Sequence, residues 1–144
     1  MSTLIPSKFE LDIRMFNEMY KLGPEPDRAA MVVRLNNFKK ILLEELDEID
    51  EVIGAFQNPG IDTLTAATEL ADLLGDLQVY CASEMARHGI PVQGTLDIIM
   101  ASNFSKLDEN GKPIYRESDG KVMKGPNYWK PEPQIRDMLL NNLG

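Results

Sequence analysis

The chain has 144 residues, 43% of them hydrophobic, enough for one core of ordinary size. Lysine and arginine number 15 against 23 aspartates and glutamates, and this formal charge of −8 disfavours a nucleic-acid partner. One cysteine (Cys81) and one histidine (His88) cannot build a disulfide or a soft zinc site, and no signal peptide or membrane-length apolar run is visible, so a cytoplasmic protein without a membrane partner is expected.

Ser7-Lys8-Phe9-Glu10 has the form of a capping box, and Phe9, Ile13, Phe16, Met19 and Tyr20 continue it at helical spacing, predicting a first helix over about 7–22. Gly23-Pro24-Glu25-Pro26 stops it, and Asp27 is the N-cap expected for the second. There Leu35, Phe38, Leu42, Leu46, Ile49, Ile53 and Phe56 keep three- and four-residue steps and predict packing on that face. Asn58-Pro59-Gly60 ends this helix, and Asp62 or Thr63 opens a third that reaches about His88 before Gly89-Ile90-Pro91. Between Leu70 and Ala82 the third helix is apolar nearly all round, which predicts a central, buried element. A fourth helix is expected over about 93–106, carrying Leu96, Ile99 and Met100. A long basic loop follows at 107–131, with a small hairpin around Ser118-Asp119-Gly120. Pro131 and Pro133 suit the start of a last helix over about 134–142 that turns Ile135, Met138 and Leu139 inward. The fold class is all-α, an antiparallel helical bundle forming one domain over 1–144 with its core at about 27–106.

The acids carry the chemical signal. Glu44, Glu45 and Glu48 in the second helix, and Glu69, Asp72 and Asp76 in the third, stand at spacings that place each set on one helix face. Glu45 falls at the edge of the Leu42/Leu46/Ile49 stripe with Glu48 following, whereas Asp47, Asp50 and Glu51 spread elsewhere. Like charges at this spacing cost roughly 0.2–0.5 kcal/mol per pair in water, and more where water is scarce. A cation offsets that cost, and oxygen-only ligands suit magnesium first, with manganese or calcium as alternatives. The competing explanation is a set of ion pairs to Arg34, Lys39 or Lys40.

Other motifs fail. Asp108-Glu109-Asn110-Gly111 begins like a calcium loop, but Lys112 replaces a ligand and Pro113 stands where glycine is required. Gly120-Lys121 lacks the rest of a phosphate loop, and Cys81 and His88 have no third group, so both read as packing or helix-end residues. Lys106, Lys112, Arg116, Lys121, Lys124 and Lys130, with Asn103, Tyr115, Tyr128 and Trp129 among them, form a segment suited to a polyphosphate, or else an ordinary solubilising stretch.

A Glu-Glu-x-x-Glu helix followed about twenty residues on by Glu-x-x-Asp, here Glu44, Glu45, Glu48, Glu69 and Asp72, resembles the all-α nucleoside triphosphate pyrophosphohydrolases. That superfamily includes MazG-like proteins, dimeric dUTPases and phosphoribosyl-ATP pyrophosphohydrolase. Asn103-Phe104-Ser105-Lys106 and the stretch from Asp119-Gly120-Lys121 to Gly125-Pro126-Asn127-Tyr128 are similar to the segment after the last core helix of MazG-like members. The resemblance covers about 30–131. It implies hydrolysis of a (deoxy)nucleoside triphosphate to the monophosphate and pyrophosphate, with Glu45, Glu48, Glu69 and Asp72 holding Mg2+ (Mn2+ as an alternative) and Glu44 as base. It also implies that Lys106, Lys121 and Lys124 neutralise the triphosphate and that Asn103 hydrogen-bonds sugar or phosphate. Asn37, with Asn36 and Phe16, is the candidate for the base pocket. The extra N-terminal helix and the basic segment favour house-cleaning of the nucleotide pool over phosphoribosyl-ATP hydrolysis, and a non-catalytic metal- or nucleotide-binding module is the further alternative. A bundle completed by oligomerisation, as a homodimer or a tetramer of dimers, is the assembly the resemblance implies.

Overall fold

Short-range hydrogen bonds set the helix starts in the computed structural model, which describes residues 5–143, with Leu143 by its backbone alone. Asp27 accepts from Ala30 N at 2.8 Å and opens α2 (Arg28–Gln57); Asp62 accepts from Thr65 N at 2.7 Å and opens α3 (Thr63–Arg87). The bond from Thr65, through its backbone and then its side chain, holds the Asp62 carboxyl below its ordinary value. Ser7 Oγ accepts from Glu10 N at 3.1 Å at the start of α1 (Lys8–Met19). The remaining helices are α4 (Val92–Phe104) and α5 (Glu132–Leu143), and among the described residues there is no strand, only an isolated antiparallel bridge between Tyr115 and Val122. The all-helical class is as expected, with the first helix ending three residues sooner than the sequence suggested. No helix is long and apolar enough to cross a membrane among the described residues.

Contacts group the chain into two units. One comprises the described part of Met1–Leu11 with Gly89–Gly144, and the other Asp12–His88. In the second unit α2 and α3 pack antiparallel, joined by the short turn at 58–62, with Ile13, Val52, Ala55, Ala66, Leu73 and Ala82 buried. Asn17 of α1, also buried, locks onto α3 by donating to Ser83 O at 3.0 Å and accepting from Ser83 Oγ at 2.6 Å. In the first unit α4 packs on α5 around Val92 and Met138, and buried Glu10 accepts through Oε1 from Val92 N and Gln93 N, capping the start of α4 where Pro91 offers no side-chain bond.

Two packing expectations need correction. On α2 the inward stripe is Met31, Arg34, Phe38, Ile41, Glu45, Val52 and Ala55, while Leu35, Leu46, Ile49, Ile53 and Phe56 remain exposed. Two apolar stripes lie side by side on this helix, and the single partner helix covers only one of them. On α3, Ala66, Leu73 and Ala82 are buried, but Leu74, Val79, Tyr80 and Cys81 are exposed, so in the single chain the helix is not buried all round. The same substitution of stripes occurs on α1, where Glu10, Ile13 and Asn17 face inward and Phe9, Phe16, Met19 and Tyr20 do not.

Candidate functional site

The inward stripe of α2 decides the site, because its 3-4 rhythm carries Glu45 onto the face that packs on α3 and leaves Glu48, one turn on, exposed beside it. Opposite, the turn chemistry at Asp62 sets the register of α3, which brings Glu69 and Asp72 to the same level. An open cleft of about 500 Å3 results, lined by Glu48, Glu51, Glu69 and Asp72 with Val52, Ala55, Ile61 and Leu73 at its base. Glu51, expected to point elsewhere, lines it as well: position 51 is three residues from 48 and shares its face.

The carboxylates act on one another. The Glu48 carboxyl is raised above its ordinary value, first by the charge of Glu45, then by burial, and further by Glu51, Asp76 and Asp72. Glu45 is half-buried, and its Oε2 is buried without a hydrogen-bond partner. A lone buried carboxylate oxygen amid like charges is unfavourable as it stands. Among the described residues, no lysine or arginine closes an ion pair on Glu44, Glu45, Glu48, Glu69 or Asp72, and no three acids, histidines or cysteines are drawn into a ready-made metal cage. Glu44, one residue before Glu45, is exposed, as is Asn37.

Arg34 is not the neutralising partner, because Glu84 holds it. Arg34 donates from Nη2 to Glu84 Oε1 at 2.6 Å and from Nε to both Glu84 oxygens at 3.2 Å, and His88 Nε2 lies 2.6 Å from Glu84 Oε2. Burial pushes the Glu84 carboxyl up, but hydrogen bonds from Arg34 and His88 and their charges outweigh it, so the group sits below its ordinary value. This trio was not foreseen: Glu84 and His88 stand one helix turn apart, but Arg34 lies 50 residues from Glu84.

The basic segment belongs to the first unit and is tied to the end of α4. Ser102 Oγ donates to Trp129 O at 2.9 Å, Trp129 N donates to Ser105 Oγ at 3.2 Å, and Gly125 N donates to Lys106 O at 2.8 Å. Gly125 is required at that crossing, since a Cβ there would fall 2.0 Å from Leu107 O. The backbones of Lys106 and Lys124 are thereby brought beside each other, with Asn103 on the last turn of α4. Lys106 is half-buried, whereas Asn103, Lys121 and Lys124 are exposed. Lys124 Nζ stands 4.9 Å from the centre of the Tyr128 ring. Lys121 lies across a turn closed by Arg116 N to Lys121 O at 2.8 Å, where Gly120 takes φ 74° and Arg116 clasps Asp119.

No protein-family model matches the chain, and no curated protein does. Among solved structures, the chain is similar to a protein of Exiguobacterium sp. 255-15, provisionally assigned as an NTP pyrophosphohydrolase. The TM-score is 0.53 at 21% identity, covering 93% of this chain and 74% of the other. The fold is NTP pyrophosphohydrolase-like. This is a likeness of fold, and the site's chemistry rests on the side chains described above. Within the NTP pyrophosphohydrolase-like fold, the helix pair α2–α3 is the element that carries the acids.

Proposed function

We propose that this protein is a Mg2+-dependent pyrophosphohydrolase that cleaves a (deoxy)nucleoside triphosphate to the monophosphate and pyrophosphate, as house-cleaning of the nucleotide pool. The observation that carries the reading is the buried, partnerless Glu45 Oε2, whose carboxylate charge raises the Glu48 carboxyl, together with the cleft that Glu48 lines with Glu69 and Asp72. That donor set, oxygen throughout, fits a hard divalent ion, with Glu45, Glu48, Glu69 and Asp72 as the residues that would hold Mg2+ or Mn2+. When bound, the ion supplies charge neutralisation at the phosphoryl oxygens.

The chain's own groups do the rest. Water attacks the α-phosphorus, a new P–O bond forms as the bond to the bridging oxygen of pyrophosphate breaks, and Glu44 accepts the water proton and passes it to solvent. Lys106, Lys121 and Lys124 neutralise the triphosphate, Asn103 hydrogen-bonds sugar or phosphate, and Asn37 lies toward the base. The crossing at Gly125 supports this role for Lys106 and Lys124, because it fixes their backbones as neighbours. The working form is a homodimer or a tetramer of dimers, supported by the apolar stripe that α2 leaves uncovered.

Glu44→Gln tests the assignment of the base. The substitution is expected to lower kcat by roughly two to four orders of magnitude while leaving Mg2+ and nucleotide binding in place. Unchanged turnover would remove Glu44 from the mechanism, and loss of binding along with turnover would make it a ligand.

A further inference from the structure

The cleft between α2 and α3 is not acidic along its whole length. Glu48, Glu51, Glu69 and Asp72 line one part, and toward the 58–62 turn the lining passes to Gly54, Asn58 and Ile61, none of them charged, with Val52 and Ala55 beneath. Gly54 stands inside α2, where alanine is the better helix former, and a Cβ there would meet nothing within 4 Å. Packing therefore does not require the glycine; its missing side chain widens the cleft and lets a ligand approach the backbone. Asn58 is set by the turn. Its Oδ1 accepts from Gly60 N at 2.9 Å and its backbone oxygen accepts from Ile61 N at 3.0 Å, which leaves the amide nitrogen as the group it offers to the cleft.

We infer that this uncharged end is the subsite for the nucleoside, with the base lying over Gly54 and a ring carbonyl of the base accepting from Asn58 Nδ2. The inference rests on the nucleotide reading above and adds a base preference to it. The nucleoside is the uncharged part of a nucleoside triphosphate, so it is the part that an uncharged compartment with an apolar floor takes while the phosphates stay at the acids and their cation. Asn58 has a donor to give and its acceptor is already used. Uracil, thymine, cytosine and guanine each carry a ring carbonyl and fit; adenine carries none. Within one chain about 30 Å of helix separates Asn37 from Asn58, so a base in this compartment is reached only by Asn37 of the partner subunit in the proposed homodimer.

Binding of the α,β-imido analogues of dUTP and dATP to the full chain with Mg2+ reads the subsite without turnover. Gly54→Leu fills the open space and is expected to weaken the dUTP analogue by roughly tenfold, while Mn2+ affinity, read by electron paramagnetic resonance of the free ion, stays at the parent's value. Asn58→Asp keeps an oxygen to accept from Gly60 N and replaces the donor with an acceptor. The dUTP analogue is then expected to lose roughly tenfold relative to the dATP analogue, a ratio that added charge alone would not move. Parent affinity in Gly54→Leu would overturn the subsite and leave hydrolysis standing. An unchanged ratio in Asn58→Asp, or a parent that binds the dATP analogue as tightly as that of dUTP, would overturn the base contact. A parent that binds neither analogue would overturn the subsite and the nucleotide reading together. Both losses, in a chain that releases no pyrophosphate from dUTP, would uphold the subsite and overturn the hydrolytic reading alone.

Discussion

At the scale of single residues, Glu84 shows what holds the helix pair together. Its carboxylate is shared by Arg34, which keeps a fifth of its surface exposed, and by buried His88. Removing one member of a buried ion pair strands the other, so Glu84→Ala is expected to cost about 3 kcal/mol in denaturant unfolding at fixed protein concentration, the low end for such pairs because Arg34 retains some water. The pH dependence has a definite sign. The folded-state carboxyl lies below its ordinary value of 4.5, so the unfolded chain binds the proton more tightly. The contribution of Glu84 is complete above that value and is lost as pH falls through the lower folded value. Comparing the two proteins between pH 7 and pH 3 should show the difference in stability shrinking in acid; a constant difference would contradict the assignment. The pairing with Arg34 was not legible in the sequence, because charges 50 residues apart carry no shared pattern. The caps Asp27 and Asp62 were legible, since each satisfies an amide only three residues away. Glu10 fell between the two cases: the capping-box pattern found the start of α1, but the carboxylate itself caps α4, 82 residues further on.

At the scale of elements, α2 explains both the success and the error of the sequence reading. Its 30 residues carry two neighbouring stripes with the same three- and four-residue steps, and periodicity alone cannot tell which one meets α3. The sequence pattern predicts packing on the apolar stripe through Leu46 and Ile53, and both residues are exposed. The stripe that packs instead includes Arg34 and Glu45, polar residues that a hydrophobic pattern discounts. Hence Glu45 lies on the packed face itself, while Glu48, Glu69 and Asp72 stand exposed along the cleft. The exposed stripe has a consequence of its own: Leu35, Leu46, Ile49, Ile53 and Phe56 on α2, with Leu74 and Val79 on α3, exceed what a small monomer normally leaves to water. Light scattering is expected to give the mass of a dimer or a multiple of it, and Ile53→Glu, away from the proposed ligands, is expected to lower that mass. A monomeric mass for the parent chain would contradict this assembly.

At the scale of the whole molecule, an acidic chain gathers lysines into one segment after α4 and acids onto one helix pair, α2–α3. The all-helical class and the identity of the acids could be read from spacing, whereas the crossing at Gly125 and the tie of Ser102 to Trp129 depend on how a segment without helix or strand folds back on α4. The central claim is hydrolysis at the α-phosphorus, and the most direct measurement is pyrophosphate release from a panel of the four deoxynucleoside triphosphates, dUTP and the ribonucleotides, with Mg2+ and then with EDTA. The account predicts pyrophosphate and the monophosphate in equal amounts from at least one member, abolished by EDTA; silence across the panel, or release of orthophosphate instead, would contradict it.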